Sequence, residues 1–87
     1  MKIGKNFVLR QLAGKWVILS LSGQQDFTGM LTLNEAGVFL WKLLEKGADQ
    51  ASLSAALCKE YGILPELASG DTERFLQKLR DIGCLEG

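Results

Sequence analysis

The chain has 87 residues, room for one domain and not two. Ten Lys and Arg balance ten Asp and Glu, and apolar residues make up 47%, so it is too apolar for a disordered tail and has no net positive field to gather nucleic acid. It contains no histidine, which removes the commonest metal ligand and general base, and Cys58 and Cys84 have neither disulfide-framework nor metal spacing.

The first third reads as strands. Phe7 to Leu12 is an apolar, partly β-branched run, Ala13-Gly14 makes a turn, and Trp16 to Leu21 is a second run of strand length. Ser22 to Asp26 is a polar loop, and Phe27 to Thr32 is a third, weaker strand. Alternation puts Phe27, Leu31 and Leu33 on one face of it and Thr28, Met30 and Thr32 on the other. Across the sheet, Trp16, Ile18 and Met30 are expected on the face opposite Val17, Leu19 and Leu31. Short loops favour an antiparallel meander with the third strand at an edge.

The period then switches to helical. Thr32-Leu33-Asn34-Glu35 fits a capping box with Thr32 as the cap, and the helix it opens runs to about Lys46 and stops at Gly47. That helix is apolar nearly all round and is expected to be buried on more than one side. Asp49 caps a second helix with Leu53, Ala56, Leu57 and Tyr61 on one stripe, ended by Gly62. A third helix carries the stripe Phe75, Leu76, Leu79 and Ile82. It starts either early, with Pro65 in its first turn and Gly70 inside it, or later, at a cap of Ser69 or Asp71. Cys84-Leu85 adds a short extended tail.

These elements make an α+β domain spanning residues 1–87. It is winged-helix-like, with a three-stranded antiparallel sheet followed by three helices. No run approaches a membrane span or a signal peptide's core, so no membrane is expected as a partner and the location is expected to be cytoplasmic. Nucleophile–histidine pairs are impossible, no glycine-rich run forms a phosphate loop, and the carboxylates fall on caps and helix surfaces. No catalytic residue, metal or cofactor is expected, and the chain is not expected to be an enzyme. On the third helix Arg74, Lys78 and Arg80 are offset by Asp71, Glu73 and Asp81, short of the positive excess that phosphate contacts need, so no nucleic acid is expected. Winged-helix nucleic-acid binding stays as the alternative reading. Peptide binding fits better. The third strand is an edge with no proline or lysine to block pairing, and Gly29 in its middle lets another backbone approach. The same edge also allows two copies to pair as a homodimer.

The run from Phe27 through Leu31-Thr32-Leu33-Asn34-Glu35-Ala36-Gly37-Val38-Phe39-Leu40 to Trp41 closely resembles the PqqD family, whose members show Leu-Asn-Glu-x-Gly followed by Trp and paired leucines, here Leu43-Leu44. Phe7-Val8-Leu9-Arg10 with Ala13-Gly14, and Asp71 through Phe75, Leu76 and Leu79 to Gly83-Cys84-Leu85-Glu86, match the family's opening and closing blocks. Cys84 departs from the usual aliphatic residue, and Thr72 stands where an aliphatic one is common. The resemblance implies a recognition element that captures the leader of a ribosomally made precursor peptide and presents it to a modifying enzyme, often a radical S-adenosylmethionine protein. The leader is expected to add as a strand beside the third strand, against the third helix. Carried across by position, Phe27, Thr28, Gly29, Met30 and Leu31 supply the strand edge, and Arg74, Gln77, Lys78 and Asp81 rim the cleft. Asn34 and Glu35 are assigned to capping, and Trp41 to the core or an enzyme-facing surface.

Overall fold

Ala13 and Gly14 both take positive φ, 50° and 79°, as a tight two-residue hairpin turn requires. They join β2 (Phe7–Leu12) to β3 (Lys15–Ser20), which pair antiparallel from Phe7↔Ser20 to Leu12↔Lys15. The computed structural model describes residues 1–21 and 31–86. β4 (Leu31–Leu33) lies antiparallel on the far side of β3, giving the order β2-β3-β4 and, among the described residues, leaving β4 at an edge. The expected meander is therefore present. The proposed strand residues Phe27, Thr28, Gly29 and Met30 lie outside the described residues.

The register corrects one expectation. Ile18 pairs with Leu31 and Trp16 with Leu33, so Leu31 shares a face with Trp16 and Ile18 and does not lie opposite them. That shared face is the core face. Ile18 and Leu33 are buried in the main apolar cluster, with Trp16 and Leu31 packed against it. Val17, paired with Thr32, is buried on the other face, outside that cluster.

α1 (Glu35–Lys46) follows β4 with one residue between them. Its cap is Asn34, whose Oδ1 accepts from the Gly37 amide at 2.8 Å, and not Thr32, which is still in the strand. Thr32 is β-branched and suits the ladder, while Asn34 sits where the chain leaves it. Val38, Leu40, Trp41 and Leu44 are all buried, so the nearly all-round apolar sequence is explained by a central position. α2 (Gln50–Tyr61) is capped by Asp49 and ends at Gly62, whose left-handed backbone (φ 62°) continues no helix. Leu53 and Leu57 are its buried residues, whereas Tyr61 is 43% exposed and meets Phe39 edge to face at 5.8 Å.

α3 (Pro65–Asp81) takes the earlier of its two expected starts, with Pro65 in the first turn and Gly70 inside the helix. Ala68, Thr72, Phe75, Leu76 and Leu79 face the core. A feature absent from the sequence reading closes the molecule: β1 (Lys2–Ile3) pairs antiparallel with β5 (Leu85–Glu86), Lys2 with Glu86 and Ile3 with Leu85. The Gly4 amide donates to the Cys84 carbonyl at 2.7 Å, and Met1 and Ala48 exchange two backbone hydrogen bonds of 3.0 Å. No helix among the described residues is long and apolar enough to cross a membrane.

Candidate functional site

The corner where β4 turns into α1 is tight. A Cβ at Gly37 would lie 3.2 Å from that of Leu33 and 3.3 Å from the Asn34 Oδ1, so the small residue lets the strand end and the helix start meet. α3 faces this corner and leaves a cleft of about 500 Å³ between them. Buried Leu33, Leu40, Leu57 and Phe75 form its floor, with half-buried Ala36 beside them. Exposed Thr32 and Asn34 stand on the strand side, and exposed Asp71, Arg74 and Lys78 on the helix side.

Such a cleft offers three things at once. β4 pairs with β3 on one side and, among the described residues, has no strand on the other. Its free amides and carbonyls suit another extended backbone. The floor is apolar. The helix wall carries two cations against one anion. Arg74 forms an ion pair with Asp71 one turn earlier, and its guanidinium lies back over Gly70, 3.4 Å from where a Cβ would stand there. Lys78 has no ion pair among the described residues, so it is the uncompensated charge of the wall.

Of the residues expected at the site, Arg74 and Lys78 line the cleft. Leu31 is half-buried in the ladder opposite Ile18 and adjoins it through Thr32. Gln77 and Asp81 are exposed on another part of the α3 surface and bond to each other, the Gln77 amide donating to the Asp81 carboxylate at 2.9 Å. The structure adds Asp71, Phe75, Leu40 and Leu57. Asp71 carried a signal, since its spacing of three from Arg74 predicts a helical ion pair. Leu40 and Leu57 carried none, because nothing in a core stripe marks which members reach a cleft.

The remaining reactive groups read as structural. Among the described residues no cluster of three or more Cys, Asp and Glu is arranged to hold a metal ion. The Cys58 thiol donates to the Ile63 carbonyl at 2.9 Å, tying the end of α2 to the following loop. Burial pushes the Cys84 thiol up to about 11, so it stays protonated and unreactive at neutral pH.

Residues 15–85 match the family model described as "Coenzyme PQQ synthesis protein D (PqqD)". No curated protein matches the chain. Two solved structures share its fold along nearly their whole length. One, described as TbiB1 in complex with the TbiA(beta) leader peptide, is 30% identical, with a TM-score of 0.78 over 100% of this chain and 96% of that one. The other, lasso peptide synthetase B1 complexed with the leader peptide, is 20% identical, with a TM-score of 0.76 over 99% of this chain and 96% of that one, and speaks to the fold alone. A sheet-then-helices architecture, the Leu33-Asn34-Glu35-x-Gly37 corner, and a family match over most of the sequence agree: the chain belongs to the PqqD family.

Proposed function

We propose that this chain binds the leader segment of a ribosomally made precursor peptide and holds it for a modifying enzyme. The observation that carries the reading is the edge of β4, unpaired among the described residues, beside an apolar-floored, cationic cleft against α3. An extended leader adds to the edge through its backbone. Alternate side chains point into the cleft, where Leu40, Leu57 and Phe75 receive apolar groups and Lys78 and Arg74 receive a carboxylate. The relative that is 30% identical was solved with a leader peptide, which supports the same ligand class here. By their position in the family's motif, Phe27, Thr28, Gly29 and Met30 are proposed to extend the receiving edge. Gln77 and Asp81 shape the outer rim of α3. The chain itself does no chemistry in this reading. The enzyme it serves is of the radical S-adenosylmethionine type, the partner implied by the family resemblance.

An amide-shift NMR titration with the leader of a short peptide encoded beside this gene tests it. Saturable shifts clustered on residues 27–33 and 71–82 are expected, with a Kd of about 1 μM, or about 8 kcal/mol. Gly29→Pro should abolish binding in a protein that still folds, because proline removes a ladder donor. An unshifted spectrum at high peptide concentration would overturn the proposal. A steep loss of DNA affinity with salt would instead support nucleic-acid binding.

A further inference from the structure

The stripe of α3 that walls the cleft does not stop at Asp71. Within α3, positions 67, 71, 74 and 78 recur at spacings of four, three and four, so they fall on one line along the helix, and Leu64 precedes it as the extended residue at the helix start. The surface at the helix start is apolar and open to solvent: Leu67, on this line, is 56% exposed, and Leu64, just before the helix, is 63% exposed. These are two of the most exposed large apolar side chains among the described residues, and Leu67 stands one helical turn before Asp71, which lines the cleft. The other end is cationic, with Arg74 held by Asp71 and Lys78 uncompensated.

We infer that Leu64 and Leu67 form a second, apolar subsite continuous with the cleft, and that the bound peptide is selected by a spaced pair, one acidic and one apolar residue. The inference rests on the peptide-binding reading above and adds the pattern that the peptide must carry. An apolar subsite alone names no occupant. Here its continuity with a cationic cleft and an open strand edge commits it to an extended, acidic peptide. The helix rises about 1.5 Å per residue, so Leu67 lies about 10 Å from Arg74 and about 16 Å from Lys78 along the axis. An extended peptide advances about 3.3 Å per residue, which puts the acidic and apolar residues about three to five positions apart. At even spacings both side chains leave the same face of the strand, so four is the favoured separation.

The test is selection of displayed random twelve-residue peptides on the full chain. It is repeated on Leu67→Ser and on the double variant Arg74→Gln, Lys78→Gln, each checked for folding by circular dichroism. The expected peptides carry Asp or Glu three to five positions from an aliphatic or aromatic residue. Leu67→Ser should lose the apolar preference while keeping the acidic one, and weaken the best peptide about fivefold. The double variant should do the reverse. Selected peptides without a spaced pair, or a pair that persists in Leu67→Ser, would overturn the inference and leave peptide binding standing. Failure to select any peptide would overturn both. Concentration-dependent sedimentation of the free chain that Leu67→Ser abolishes would assign the two leucines to a second copy, and so also overturn it.

Discussion

Thr72 is fully buried on the inward stripe of α3, and its hydroxyl has no hydrogen-bond partner among the described residues. A buried hydroxyl without a partner costs free energy that an apolar group of the same shape does not. Thr72→Val should therefore raise stability by about 1 kcal/mol, read as a higher urea midpoint with an unchanged slope. A lower midpoint would show that the hydroxyl is satisfied. Asp71 presents the opposite case, a surface group whose interest lies in binding. Its carboxylate occupies Arg74 and so competes with any carboxylate a peptide brings. Exposed ion pairs are worth roughly 0.2–1 kcal/mol, so Asp71→Asn should tighten binding of an acidic leader by at most about fivefold. It should also steepen the salt dependence and leave a neutral peptide unaffected. Calorimetric titration at two salt concentrations distinguishes these outcomes from a general change in the cleft.

Among the elements, α2 depends most visibly on the capping residue just before it. The Asp49 carboxylate accepts from the Ser52 amide at 2.7 Å, and that bond holds its pKa below the ordinary 3.8. The folded chain thus takes up this proton less readily than the unfolded one. The stabilisation is complete above the ordinary value and is lost as pH falls through the lower, folded one. Asp49→Ser keeps an acceptor at the cap and removes the titration, so its stability should vary less than that of the parent between pH 5 and pH 2 in denaturant melts at each pH. The same elements show how far a sequence can be read. Gly47 and Gly62 stop helices because the residue type itself ends them, and the Pro65 start of α3 agrees with the preference of proline for a first turn. Residue type does not fix the cap of α1, because Thr32 and Asn34 are both capping types two positions apart and only the end of the β3–β4 ladder separates them. The facing of Leu31 depends on register, which periodicity along one strand does not contain. For the site, Arg74 and Lys78 are legible as the open face of a helix whose other face is apolar. The cleft floor is not, since it exists only once three helices and a strand end have met.

For the whole molecule, the cleft and the β1–β5 pair are separate works of the same chain. The lining of the cleft comes from residues 32–78, while the pair joins the two ends and shares no residue with it. Neither two-residue strand has a period, and no local signal pairs residue 2 with residue 86. This part of the fold is therefore invisible until the tertiary structure closes. Joining segments so far apart carries the largest loop-closure entropy in the chain, so the contact is expected to form after the hairpin and helices have docked. A contact made after the folding barrier does not set how fast the chain folds; it sets how long the folded state lasts. Removing residues 1–4 should therefore leave the refolding limb of a stopped-flow chevron nearly in place and raise the unfolding limb, about tenfold for each 1.4 kcal/mol lost. A refolding limb that dropped by as much as the other rose would place the closure before the barrier. The β1–β5 pair then acts as a clasp in time: the lifetime of the folded chain is governed at a place that shares no residue with the surface proposed to hold the peptide.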